Sequence, residues 1–251
     1  MFIDTHCHIS SEDYDNISEV IENIFGAGVR KIITNGCNLT TNKEVLEIVK
    51  DYSIVYGALG FHPTELDGVT EADFEWLIRH INNDKIVAIG EIGLDYHYDN
   101  TDREKQKWAF RRQLEIAQKN NLPVIVHSRD AIRDTYDILS EYKLKGSIHC
   151  FSGSLEMAEA FIKLGYMIGV GGVVTYKNAK NIVNVIKNVS LEYILLETDS
   201  PYLTPESKRG EKNSPCNIPL IAQKIADIKE VDVSLVAKTT GDNARRLFDK
   251  L

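Results

Sequence analysis

The sequence predicts an α/β fold, a (β/α)8 TIM barrel running as a single domain over residues 1–251. Three observations predict it. The length is about that of one such barrel and suffices to bury one large core. Short β-branched runs alternate with amphipathic stretches along the whole chain, with no linker, low-complexity tract or charge block to divide them. Five of the seven histidines also fall at or beside the C-terminal ends of those runs, where barrels assemble their sites.

The strands are expected at Phe2–His8, Lys31–Cys37, Val55–His62, Ile86–Glu91, Pro123–His127, Gly146–His149, Tyr166–Val174 and Tyr193–Asp199. Most are near-fully apolar, which implies parallel pairing with both faces covered. Helix patterns lie between them at Ile17–Phe25, Arg103–Asn120, Asp130–Glu141, Leu155–Leu164 and Ala179–Val189. In the first, Ile17, Val20, Ile21, Ile24 and Phe25 form one stripe at helical spacing. Pro123 opens a strand, Gly146 and Gly165 read as helix terminators, and Asp130 reads as an N-cap.

Composition narrows the classes. No apolar run is long enough to span a bilayer. The N-terminal MFIDTHCH has acidic and imidazole groups where a secretory leader would be basic and apolar. The four cysteines (Cys7, Cys37, Cys150, Cys216) form no CxxC pair, so a cytoplasmic setting and no membrane partner are expected. The formal charge of −8 argues against a passive nucleic-acid binder. It leaves room for an enzyme that grips a polyanion through metal ions.

The strand ends carry the chemistry. In DTHCH, a period-two pleat sends Asp4, His6 and His8 to one face and turns Thr5 and Cys7 toward the helices. Two imidazoles two residues apart on an inward face can share one metal. Glu91 sits in VAIGEIGLDYH between Gly90 and Gly93, and a charged Glu buried there needs an ion pair (Arg129 and Arg111 are possible partners) or a metal. His127 ends PVIVH and His149 ends SIH. A lone histidine at such a place is ordinarily a hydrogen-bonded core residue. Alongside the other strand ends, these two read as ligands of a second metal. Asp199, in YILLETDSPYL, can contact a metal and take a proton from an attacking water, with Glu197 as the alternative carboxylate.

These residues lie within an ordered set of motifs: DTHCH, GFHP (residues 60–63), GEIGLDY (90–96), VIVHSRDA (124–131), HCFSGS (149–154), ETDSPYLTP (197–205) and RGEKNSP (209–215). In this set the chain resembles, end to end, the TatD-type metal-dependent deoxyribonucleases, a branch of the amidohydrolase-like hydrolases. The resemblance implies two divalent cations. His6, His8 and Glu91 would hold one, with Glu91 bridging, and His127 and His149 the other, with Asp199 beside the water. It also implies substrate or phosphate binding by His62, Arg209 and Asn213, and DNA as substrate with no stable nucleic-acid complex. Ser128, Ser152 and Tyr96 are further hydrogen-bond donors. The four imidazoles suit Zn, Mn, Co or Ni better than Mg, although the family's members work with Mg as well.

The alternative activity is metal-dependent hydrolysis of another ester or an amide, by an aminoacyl-tRNA deacylase or a small-molecule amidohydrolase, because fold and metal set the attack and not the substrate. A bridging Glu in place of a carbamylated Lys leans away from the amide hydrolases. A non-catalytic barrel would have lost ligands, and none is lost.

Overall fold

The computed structural model describes residues 1–251 and contains eight strands in the sheet order β1 to β8. The strands are β1 (Phe2–Cys7), β2 (Val29–Asn35), β3 (Val55–Leu59), β4 (Ile86–Asp95), β5 (Val124–Arg129), β6 (Gly146–Ile148), β7 (Tyr166–Val170) and β8 (Ile194–Leu196). Seven helices alternate with them: α1 (Ile17–Gly26), α2 (Leu39–Asp51), α3 (Glu71–His80), α4 (Arg103–Asn120), α5 (Ile132–Leu139), α6 (Leu155–Lys163) and α7 (Lys180–Asn188). Two more, α8 (Ile218–Lys229) and α9 (Val233–Leu247), follow β8. All seven neighbouring pairs are parallel. No helix is long and apolar enough to cross a membrane.

No regular ladder joins β8 to β1. Individual bonds close the seam: His8 N–H to Ser200 O at 2.7 Å, Asp199 N–H to His6 O at 2.9 Å and Thr5 Oγ1 to Leu196 O at 3.0 Å. Asp4 adds to them by accepting from the Thr198 N–H at 3.1 Å. The residues that close the barrel are therefore neighbours of those that carry its chemistry.

The main apolar core lies between strands and helices. A smaller one fills the lower interior, where Ile3, Ile33, Ala58, Ile125, Met167 and Leu195 meet Ala244 and Leu247 of α9 and Phe248 just beyond it. This helix plugs one end and leaves the C-terminal strand ends as the open mouth, the end at which barrels build sites.

Several elements differ from the sequence expectation. β7 stops at Val170 rather than Val174, and Gly172–Thr175 forms a 3-10 turn. There the chain runs so close to the next loop that a Cβ on Gly172 would lie 2.2 Å from Leu203 O. The β-branched Val173 and Val174 suggested a strand, but tertiary contact decided. β8 is shorter than expected, whereas β4 runs on past Glu91 to Asp95. That extension is possible because Gly93, at φ +146°, lets β4 approach β5; a Cβ there would lie 2.0 Å from His127 O. Gly165 ends α6 at φ +96° as expected, but Gly146 is the first residue of β6. Asp130 adopts φ +53° and Ala131 occupies the N-cap of α5. Strand β1 does not alternate strictly, for its register against β2 shifts between Asp4 and Cys7.

Candidate metal centre

Six of the expected side chains converge at the mouth on one buried carboxylate, Glu91, which is 3% exposed. Its Oε2 stands 3.3 Å from His6 Nε2 and 3.4 Å from His8 Nε2. Those two nitrogens are 3.2 Å apart, and Asp199 Oδ1 lies 3.4 and 3.5 Å from them. A tetrahedral cation with bonds of about 2.0–2.2 Å holds its donors about 3.3–3.6 Å apart. The five separations are close to that range.

The other oxygen of the same carboxylate faces a different set. Glu91 Oε1 is 2.9 Å from His127 Nδ1, 3.0 Å from His149 Nε2 and 3.5 Å from His62 Nε2. His127 Nδ1 and His149 Nε2 are 3.3 Å apart. The sets His6, His8 and Glu91, then His62, Glu91 and His127, and also His6, His149 and Asp199 each bring their ligand atoms close enough to hold a metal ion.

Outer partners orient the rings. His8 Nδ1 meets Asn35 O at 3.0 Å, and His127 Nε2 meets Asp95 Oδ2 at 3.1 Å. Asp95, fully within the β4 extension, also accepts from the His97 N–H at 2.9 Å. With Nε2–H donated to Asp95, the Nδ1 lone pair of His127 is aimed at the centre. Glu197 stands behind His149 with Oε1 3.7 Å from Nδ1, and that oxygen accepts the Cys150 N–H at 2.5 Å. Gly169 admits this carboxylate, since a Cβ there would lie 2.3 Å from Glu197 Oε2. Acceptors of this kind typically contribute ten- to a hundredfold to metal affinity or activity. Asp95→Ala is accordingly expected to weaken cation binding by about that factor, with Asp95→Asn recovering part of it, as read by titration of the stripped protein with Mn²⁺.

The charges are balanced for cations. Burial pushes the Glu91 carboxyl up, but His149, His6 and His62 and a hydrogen bond from His127 hold it well below the usual range. Burial likewise opposes ionisation of Asp199, and hydrogen bonds from His6 and His8 override it. Burial also disfavours the charged rings, yet Asp95 and Glu91 raise His127, and Glu91 raises His149 well above the ordinary value of 6.5. His62 goes the other way, since its desolvation outweighs the pull of Glu91.

A pH dependence follows. The raised imidazoliums stabilise the metal-free fold fully below the unfolded pKa of about 6.5, and this contribution is lost as pH rises through the folded values. Cations must displace those same protons. At fixed Mn²⁺, the gain in thermal stability should therefore be small at pH 6 and larger at pH 8, growing by about 1.4 kcal/mol per pH unit for each proton displaced. A gain that is flat over this window, measured by calorimetry, would contradict the shared use of these nitrogens.

Other expected residues lie elsewhere. Asn213 is fully buried and its side chain is occupied by the scaffold: it donates to Thr198 O at 2.9 Å and Tyr202 O at 2.6 Å and accepts from Ser214 and Asn217. Its RGEKNSP context suggested a loop donor; backbone partners 11 and 15 residues away are invisible in a sequence. Arg209 has a side chain 72% exposed that pairs with Glu206 at 3.6 Å and lies over the Tyr176 ring. It lines neither cavity at the mouth, whereas Arg129 lines both. Tyr96 donates to Asp134 and the Ser128 hydroxyl bonds that of Thr135, while Ser128 and Ser152 both line a cavity. Arg111 pairs with Glu141 and not with Glu91. Asp4 stays out of the donor cage and holds the seam.

A parallel barrel with imidazoles and carboxylates gathered at its C-terminal mouth defines the class of metal-dependent hydrolases. Comparison with known proteins specifies it further. Residues 3–249 match the family described as TatD related DNase. The chain is 40% identical over 252 residues to the metal-dependent hydrolase YabD of Bacillus subtilis, covering 99% of each. It superposes on the crystal structure of YjjV, a TatD homolog from Escherichia coli, with a TM-score of 0.93, 33% identity and coverage of 99% and 98%. A TatD family hydrolase from Entamoeba histolytica gives 0.88 at 25% identity, covering 100% of this chain and 98% of that one. The chain belongs to the TatD family of metal-dependent hydrolases.

Proposed function

We propose that the protein hydrolyses phosphodiester bonds of DNA with two divalent cations bridged by Glu91. The observation that carries this reading is the division of one buried carboxylate, Oε2 toward His6 and His8 and Oε1 toward His127 and His149. The family's description as a DNase supplies the substrate. When bound, two such cations would lower the pKa of a water toward neutrality and clamp substrate oxygens.

The chain's own residues do the rest. Asp199 is ionised and partly open to the mouth, so its carboxylate can accept the proton of the attacking water. Its φ of +55° aims it there at some local cost. His62 accepts the Thr64 N–H at Nδ1, at 3.2 Å, which leaves the ring proton on Nε2 beside Glu91. Held neutral by burial, it can donate to a phosphoryl oxygen as charge grows there. Arg129, rather than Arg209, offers the guanidinium for the phosphate. Four free cysteines are in keeping with a reducing, cytoplasmic setting.

The test is cleavage of end-labelled single-stranded and duplex DNA by chelator-stripped protein, reloaded one cation at a time, with His127→Ala alongside. Metal-dependent product ladders that vanish in the variant support the reading. Stoichiometric metal uptake without cleavage by any cation would reject DNA and leave another ester or an amide as the substrate.

A further inference from the structure

The mouth has two unlike lobes. The first, about 760 Å³, opens from His127, His149 and Asp199 toward β7 and α7. Its wall is apolar (Phe151, Val173, Val174, Ile182), and its charged side chains beyond the centre, Arg129 and Lys180, are both cationic. The second, about 500 Å³, extends past His8 and His62 and is lined by Glu12, Asp13, Glu44 and Glu65, with Arg129 shared between the two lobes. Tyr202 belongs to both linings. It is 59% exposed beside Leu203, itself 37% exposed and held at φ +50°. Large apolar side chains left in water at the lip of a cavity, in a loop that takes a left-handed non-glycine residue to place them, are a feature of binding sites.

We propose that the first lobe binds the flat heteroaromatic base of the nucleotide adjoining the scissile phosphate, with Tyr202 as its stacking platform. This rests on the phosphodiester reading above, which fixes the phosphate at the cation cage. From that point the two lobes are the cavities open to the substrate's arms. The four carboxylates of the second lobe outnumber the shared Arg129 and repel a polyanion, whereas the first adds Lys180 to Arg129 for a neighbouring phosphate and offers an apolar wall and the Asn178 and Asn181 amides for base edges. Its volume lies within the range of small-ligand sites. An exposed tyrosine can stack on any base, so the platform selects for a base without selecting its identity.

The test is binding of deoxyadenosine monophosphate against 2-deoxyribose 5-phosphate to the Mn²⁺-loaded protein by calorimetric titration. The base-bearing ligand should bind at least about tenfold more tightly, the scale of one base–aromatic stack. Tyr202→Ala should remove that margin while leaving the sugar phosphate unchanged, and Tyr202→Phe should restore it. Asn181→Trp, an exposed substitution that fills the lobe, should also remove it. Equal affinities in the wild type, or a Tyr202→Ala loss shared by both ligands, would overturn the proposal. Because binding is read without turnover, intact DNA cleavage with equal affinities would reject the lobe alone. A persistent base preference without cleavage would reject the reaction alone.

Discussion

Glu91→Gln is expected to abolish metal-dependent hydrolysis, by at least about 10³-fold in kcat, or about 4 kcal/mol of transition-state stabilisation. Glutamine keeps the volume and fills the same buried slot, so the barrel should melt cooperatively as before. What it loses is the charge shared by five histidines, His6, His8, His62, His127 and His149, all with a ring nitrogen within 3.5 Å of a Glu91 oxygen. An amide can present one acceptor and must turn its NH2 group toward the other donor set. One half of the centre is then faced by a donor where it needs a ligand. Steady-state rates at saturating Mn²⁺, together with circular dichroism, check this. Activity within tenfold of wild type in a folded Glu91→Gln protein would remove the carboxylate from the centre.

The second large effect is on stability and comes from Asp4. Burial pushes this carboxyl up to about 8 despite hydrogen bonds from Thr198 and from the His6 N–H. At neutral pH it is therefore mostly protonated. The Thr198 hydroxyl donates to Asp4 Oδ2 at 2.6 Å and stands 3.1 Å from Ser200 Oγ. A raised carboxyl has the opposite sign from a salt-bridged one. The folded state holds this proton more tightly than the unfolded chain, so stability falls as pH rises from about 4 toward 8.

Asp4→Asn preserves the acceptor and a donor without the titration, and it should flatten that fall and raise the melting temperature above pH 8. Asp4→Ala removes the carboxylate acceptor of the buried His6 N–H and leaves the Thr198 N–H only the longer bond to His6 O at 3.3 Å, at a cost of about 1–3 kcal/mol for an unsatisfied group. It also loosens the seam beside Asp199. Thermal melts of both variants from pH 5 to 9 separate these outcomes. Equal destabilisation by Asn and Ala would contradict a neutral Asp4.

Much of the centre was legible because strand ends leave a strong signature. An apolar run that stops on a histidine or carboxylate tells where a side chain lies along the barrel axis, and eight parallel strands bring such ends to one mouth. His6, His8, Glu91, His127, His149 and Asp199 are all marked in this way. Asp95 was hidden because the strand was expected to end at Glu91, and the continuation of β4 depends on a close approach at Gly93 that only the neighbouring strand reveals. Asp4 was grouped with the histidines by period two, but a register shift in β1 and two bonds to Thr198, 194 positions later, turn it to the seam. The same limit applies to Asn213 and Arg209, whose partners are set by how the loops after β8 pack. Arg129 was legible only as a charge, because its place between the two lobes depends on where β5 ends.

The shared carboxylate is tested most directly by counting cations. Chelator-stripped protein is dialysed against Mn²⁺ or Zn²⁺ and the bound metal measured by elemental analysis, for wild type and Glu91→Gln. Two equivalents in the wild type, falling to one or fewer in the variant, are expected of a carboxylate whose oxygens serve separate sites. A wild type that saturates at one equivalent, or a variant that still binds two with unchanged affinity, would contradict it.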